Sequence, residues 1–175
     1  MRCGLLGEKL GHSYSPQIHA LLSDYSYDLF EKEPQQLEDF LCNGQYHGLN
    51  VTIPYKKVVI PYCNCLSSEA QKLGAVNTIT KAADGTLTGH NTDYFGFQYM
   101  LRKSQLDVTG KKVLILGSGG AAVTVFSVLQ EAGATPVIIS RHGENNYQNL
   151  QRHKDASVIV NATPVGMYPN TGKAP

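Results

Sequence analysis

The run Val113-Leu114-Ile115-Leu116-Gly117-Ser118-Gly119-Gly120-Ala121-Ala122 constrains the fold more than any other stretch of the chain. Four consecutive apolar residues without polar alternation predict a strand buried on both faces. The glycines end that strand, and Ala121 to Ala132 reads as a helix stopped by Gly133. Gly117, Gly119 and Ala122 occupy the three positions of G-x-G-x-x-G/A. The first permits a tight turn, the second lets backbone approach a pyrophosphate, and the third allows close helix–strand packing. A helix start placed there offers free N–H groups to phosphates. The motif gains weight from its context, because a second apolar run, Pro136 to Ser140, follows the helix. Tyr147 to Arg152 reads as another helix and Val158-Ile159-Val160 as a third strand. That β-α-β-α-β order is half of a doubly wound parallel sheet that binds nucleotides.

The end of the second strand bears on the choice of dinucleotide. A sheet that selects NAD places Asp or Glu there for the ribose 2′-hydroxyl. This chain has Ser140-Arg141-His142, and Glu144 comes only later in the loop. Arg141 carries a fixed charge and a planar donor fork suited to a phosphate, which favours NADP.

Ahead of this region the elements are shorter. Cys3 to Gly7, Asp28 to Phe30, Gly48 to Thr52, Ala75 to Thr80 and Thr86 to Gly89 read as strands, the last two joined by a turn at Asp84-Gly85. Helices are expected from Ser15-Pro16, with Ser15 as cap, over Gln35 to Cys42, from Tyr55 to Pro61, and from Asp93 to about Leu101 with Thr92 as cap. The polar turn Asp107 to Lys112 suggests a boundary near residue 105, giving domains 1–104 and 105–175.

Charge and composition exclude several classes. Lys plus Arg is 15 against 14 for Asp plus Glu, so no basic surface advertises nucleic acid. Apolar runs are too short to span a bilayer, and Met1 leads straight into a strand without a secretion signal. The four cysteines are irregularly spaced, and the six histidines lack HxH or HxxxH spacing. Unpaired thiols in a reducing, cytoplasmic setting are expected, and no metal site.

Three segments of the first domain hold more polar groups than packing requires. They are Gly11-His12-Ser13-Tyr14-Ser15-Pro16, Asn50-Val51-Thr52-Ile53-Pro54-Tyr55-Lys56, and Gly74-Ala75-Val76-Asn77-Thr78 together with Asn91-Thr92-Asp93. With Gly96-Phe97, the glycine loop and Asn161-Ala162-Thr163-Pro164-Val165-Gly166-Met167, they stand in the order found in shikimate dehydrogenases, and the chain resembles that family over almost its whole length.

The resemblance implies an α/β protein, with an N-terminal α/β substrate domain and an incomplete Rossmann-type doubly wound parallel sheet. It implies NADP-linked interconversion of 3-dehydroshikimate and shikimate. Lys56 would be the acid/base residue and Asp93 its partner at the reacting carbon. Ser13, Ser15, Thr52 and Asn77 would hold the substrate's carboxylate and hydroxyls. Gly117, Ser118, Gly119, Gly120 and Ala121 would hold the pyrophosphate; Ser140, Arg141 and His142 the adenosine phosphate; and Thr163 would lie beside the nicotinamide side. The small-molecule substrate is the expected partner, with neither nucleic acid nor membrane, in a monomer or homodimer. Family members continue past the Asn161-to-Met167 motif, so a C-terminally truncated chain is expected. Two alternatives stay open: a dehydrogenase of quinate or a related cyclohexane acid, and an inactive ligand-binding fragment.

Overall fold

In the computed structural model the protein divides into two compact units, Met1–Thr92 and Asp93–Pro175. The structure describes residues 1–11, 13–168 and 170–175; His12, which belongs to the Gly11–Pro16 motif, and Pro169 lie outside the described residues. The division falls ahead of the polar turn near residue 105. The helix that opens the second unit explains why, since its Phe97 and Leu101 pack into that unit's core.

The first unit runs β1 (Arg2–Gly7), α1 (Ser15–Leu22), β2 (Ser26–Glu31), α2 (Leu37–Asn43), β3 (Gly48–Val51), β4 (Cys65–Leu66), α3 (Ser68–Leu73), β5 (Thr78–Lys81) and β6 (Leu87–His90). Its strands form one mixed sheet in the order β2-β1-β3-β5-β6-β4. β1 is parallel to β2 and β3, whereas β5 is antiparallel to β3 and β6. The expected hairpin is present, with Gly85 at φ 88 in its turn.

Strand alternation sorts this sheet into two unlike faces. Leu6, Leu49, Val51, Ile79 and Leu87 face a core completed by Leu37 and Leu41 of α2, Ala70 of α3, and Tyr55 and Val59. The opposite face carries Tyr27, Asn50 and Thr78: Leu5 pairs with both Leu29 and Asn50, and Asn50 with Thr78.

Three local expectations change. Residues 53–59 form successive turns, and Pro61 sits inside a short 3₁₀ helix, Ile60–Tyr62. α3 was not expected, although Ser67 caps it by accepting from the Ala70 N–H and Gly74 ends it at φ 57. Ser15 is the first residue of α1, and Tyr14 occupies the cap position with helical backbone.

The second unit runs α4 (Asp93–Lys103), β7 (Lys112–Leu116), α5 (Gly120–Glu131), β8 (Thr135–Ile139) and β9 (Val158–Asn161). Val113, Ile115, Ala122, Val125 and Leu129 form its core. Tyr94 of α4 donates a hydrogen bond to Glu131 at the end of α5. All three strands are parallel, in the order β8-β7-β9.

The expected helix over 147–152 is only a 3₁₀ turn, Leu150–His153. The third strand pairs with the free side of β7, so the connection from β8 crosses over β7 without an α-helix of its own. Among the described residues β9 is consequently an edge strand, with Ile159 65% exposed.

Candidate active site

The candidate substrate residues of the first unit gather at the C-terminal ends of β1 and β3 and the start of β5. The Thr52 N–H donates to the Leu6 carbonyl at 2.9 Å, and its own carbonyl accepts from Tyr55 N–H at 2.9 Å, which turns the chain out of the sheet. Gly7 lies directly beneath. A Cβ there would stand 2.6 Å from Leu10 Cδ2 and 2.9 Å from Thr52 Cγ2, so glycine is what lets these segments close up. Lys56 follows in the turns, half-buried, its carbonyl held by the Val76 N–H at 2.7 Å. Lys57 beside it is exposed, as expected of a solvated lysine.

Ser13 and Ser15 do not alternate along extended backbone. Instead Tyr14 is helical, and Ser13 Oγ accepts from the Ser15 N–H at 3.2 Å. Ser13 thus satisfies an orphan donor of the helix start, and the Ser15 hydroxyl is not used as a cap.

Asn77 is the hub of the site. It is buried, and its Oδ1 accepts from the Thr92 N–H at 2.8 Å and from the Thr78 hydroxyl at 3.1 Å. Its Nδ2 donates to Thr92 Oγ1 at 3.0 Å. Thr78 also receives the Asn50 Nδ2 donor at 3.4 Å, and Asn50 Oδ1 accepts from the Tyr27 phenol at 2.6 Å. The polar face of the sheet therefore holds one connected row, Tyr27–Asn50–Thr78–Asn77–Thr92. Strand alternation could have revealed Asn50 and Thr78; the part played by Tyr27 carries no sequence signal. Asp93 follows Thr92 as the half-buried first residue of α4 and belongs to the second unit.

In the second unit the glycine loop meets the segment after β9. Leu116 pairs with Asn161, and the Ala162 N–H donates to the Leu116 carbonyl at 2.9 Å. Gly117 has φ 114, and a Cβ there would lie 3.0 Å from both the Ala162 carbonyl oxygen and Thr163 Cγ2. Thr163 is fixed by Asn161, whose Oδ1 accepts from its N–H at 2.9 Å and its hydroxyl at 2.7 Å. β7 and β9 are neighbours in the sheet although β8 separates them in sequence, and the glycine loop and Thr163 follow their carboxyl ends, the side on which doubly wound sheets take ligands.

The residues present fit a dinucleotide. Gly119 occupies the N-cap of α5 and supplies no side-chain acceptor, so the first N–H groups of Gly120 and Ala121 stay unclaimed by a cap. A Cβ on Gly119 would meet nothing within 4 Å, which leaves open space before the helix start. Ser118, Gly119 and Ala121 line that space from the loop and the first turn of α5. At the end of β8 the Ser140 N–H donates to the Asn145 carbonyl at 3.1 Å, closing a turn on which Arg141 and His142 are exposed. That turn is braced by Asn146 and Asn149, which bond to the Gly143 and Glu144 carbonyls.

Known proteins carry the same pattern. Residues 5–79 match the shikimate dehydrogenase substrate binding domain. The NADP(+)-dependent shikimate dehydrogenase of Clostridium perfringens strain SM101 is 39% identical over 191 aligned positions, taking in 96% of this chain and 70% of that protein. The chain belongs to the shikimate dehydrogenase family. Among solved members, shikimate dehydrogenase 1 of Peptoclostridium difficile is 37% identical, with a TM-score of 0.90 over 99% of this chain and 71% of that one. Shikimate 5-dehydrogenase of Thermus thermophilus, solved in complex with NADP(H) and shikimate, is 30% identical, with a TM-score of 0.88 over 100% of this chain and 72% of that one. The 191 aligned positions outnumber the 175 residues of this chain, so the Clostridium family member has internal residues without a counterpart here.

Proposed function

We propose that this chain carries out the family's reaction, the reversible NADP-linked reduction of 3-dehydroshikimate to shikimate. The observation that carries the reading is the row joining Asn50, Thr78, Asn77 and Thr92. Groups from separate motifs meet there instead of dispersing, and a polyhydroxy acid requires such a set of fixed polar contacts.

In this reading Ser13, Ser15 and Thr52 bind the carboxylate side of the ring, and Asn77 takes a ring hydroxyl. Lys56 donates a proton to the carbonyl oxygen as negative charge builds there, and in reverse accepts the alcohol proton as a neutral amine. Asp93 holds a hydroxyl at the reacting carbon and so orients the ring. NADP, held by Gly117 to Ala121, by Ser140-Arg141-His142 and by Thr163, supplies the hydride chemistry when bound. Arg141 recognises the 2′-phosphate, since no carboxylate occupies the end of β8 to claim a 2′-hydroxyl. The four cysteines, all unpaired, suit a cytoplasmic setting, and a monomer or homodimer is the expected state.

The test is direct. Formation of NADPH from NADP, and of NADH from NAD, is followed with shikimate and with quinate, while calorimetry measures shikimate binding. Shikimate with NADP should be the preferred pair. Preference for quinate with NAD would refute the proposal, and so would failure to bind shikimate.

A further inference from the structure

We propose that Asn149 and Asn146 are positioning residues for NADP, their side chains setting the 140–145 turn that presents Arg141 to the cofactor's 2′-phosphate. The inference rests on the reading of Arg141 as the 2′-phosphate residue.

Core packing does not shape this turn, since no residue from 140 to 149 is buried. Hydrogen bonds do. The Ser140 N–H donates to the Asn145 carbonyl at 3.1 Å and closes the loop. Asn146 Nδ2 donates to the Gly143 carbonyl at 3.1 Å, and Asn149 Nδ2 to the Glu144 carbonyl at 2.8 Å. Asn149 uses its other end as well, because its Oδ1 accepts from the Asn146 N–H at 2.9 Å. One carboxamide thus joins the turn to the segment that follows it. Asn145 Oδ1 lies 3.0 Å from His153 Nε2, which ties the turn to the 3₁₀ helix Leu150–His153. The loop is drawn so tight that a Cβ on Gly143 would stand 2.5 Å from Ser140 Oγ.

The brace also gives the turn a polarity. In a trans peptide the N–H points opposite to the C=O. Holding the Gly143 and Glu144 carbonyls on asparagine donors therefore turns the N–H groups of Glu144 and Asn145 the other way. Among the described residues neither N–H has a backbone acceptor. Three consecutive carbonyls, those of Gly143, Glu144 and Asn145, are occupied, whereas backbone donors next to the exposed Arg141 and His142 are not. Successive N–H groups left open in a turn suit an anion. Without the brace the turn would hold this shape only part of the time, and affinity falls by that fraction.

Calorimetric titrations with NADP, and separately with NAD, are run on the wild type, Asn149→Ala, Arg141→Ala and the double variant. Asn149→Ala should weaken NADP about tenfold, the scale of an ordering hydrogen bond to the turn, and leave NAD within about twofold. In the Arg141→Ala background Asn149→Ala should cost nothing further, because Asn149 acts through Arg141. Asn146→Ala, which spares Asn149 Nδ2, should show the same selective loss on a smaller scale. It decides by the same criteria if Asn149→Ala does not fold. An NADP Kd within about twofold of wild type overturns the proposal, and so do effects of Asn149→Ala and Arg141→Ala that multiply. Equal losses for NADP and NAD mark a residue of the fold, and also overturn it. If Arg141→Ala binds NADP normally, the Arg141 assignment fails and this proposal with it. If the wild type binds neither dinucleotide, the proposed function itself fails.

Discussion

The two glycines of the nucleotide loop should respond to the same substitution in opposite ways. At Gly117 an alanine must adopt φ 114 and place its Cβ 3.0 Å from the Ala162 carbonyl oxygen and from Thr163 Cγ2. The left-handed backbone costs about 1–2 kcal/mol. Forcing apart the packed segments of β7 and β9 adds about 1–3 kcal/mol. Together these approach about 3 kcal/mol, which lowers the melting temperature by something on the order of 10 °C. At Gly119 the backbone is extended, φ −78 and ψ −173, and a Cβ meets nothing within 4 Å. Gly119→Ala should therefore cost less than about 1 kcal/mol, the difference between a glycine and an alanine cap. Its methyl group would instead stand where a pyrophosphate approaches the helix start. Thermal melts by circular dichroism report the first effect, and fluorescence titration with NADPH the second. Gly117→Ala should lose stability and affinity together, whereas Gly119→Ala should keep its melting temperature and lose at least about tenfold in NADPH affinity, about 1.4 kcal/mol. Wild-type NADPH binding by Gly119→Ala would refute the cradle. A Gly117→Ala protein melting within about 2 °C of wild type would refute the packing argument.

Three further outcomes are expected. Lys56→Ala should lower kcat by about 10²- to 10⁴-fold, the range for a lost general acid, with a much smaller change in shikimate KM; near-normal kcat would remove Lys56 from the proton transfer. Arg141→Ala should weaken NADP about ten- to hundredfold, as expected for a lost charge-assisted bond, while NAD affinity changes little, and equal losses would contradict the 2′-phosphate role. Both Asp155 oxygens accept from Lys112 Nζ at 2.7 Å, and that hydrogen bond holds the Asp155 carboxyl below its ordinary value of 3.8. Because the folded pKa is depressed, the contribution is complete above the ordinary value and disappears as pH falls through the folded one. Melting temperatures measured from pH 6 down to 2 should fall less steeply for Asp155→Asn than for wild type; parallel curves would show that the bridge contributes nothing.

The legible parts of this fold are those fixed by local chemistry. Val113 to Leu116 gives itself away as a doubly buried strand, and the glycines after it must be a turn. The Asp84-Gly85 hairpin is equally plain. By contrast, the identity of Ser15 as a helix cap is a local guess that does not hold: the helix begins at Ser15 itself, so Tyr14 takes the cap position and Ser13 Oγ accepts the Ser15 N–H. Asn77 and Thr92 carry strong signals as residues, yet their joining depends on β5 and β6 pairing so that the Asn77 N–H reaches the His90 carbonyl at 3.0 Å. Tyr27 is less visible still. In sequence it is one aromatic residue on a short strand, and only the register of β1 with both β2 and β3 puts it on the face of Asn50.

The placement of β9 shows why strand order is harder to read than strand existence. The Thr135 N–H donates to the Lys111 carbonyl at 2.9 Å, and the Ile139 carbonyl accepts from the Gly117 N–H at 2.8 Å. Residues 135, 137 and 139 therefore turn their backbone groups toward β7, and Pro136 turns away to the open edge. Proline has no N–H to offer a strand on that side, and within sheets it is confined to such edges. Segment 140–157 spends its length on the asparagine-braced turn and one 3₁₀ turn. A doubly wound half usually adds a strand outside its second one; among the described residues none occupies that place. Pro136 thus suits β8 to an open edge, and among the described residues β9 lies on the other side of β7. That choice matters chemically, because it packs Thr163 against Gly117, the residue that opens the candidate cofactor loop.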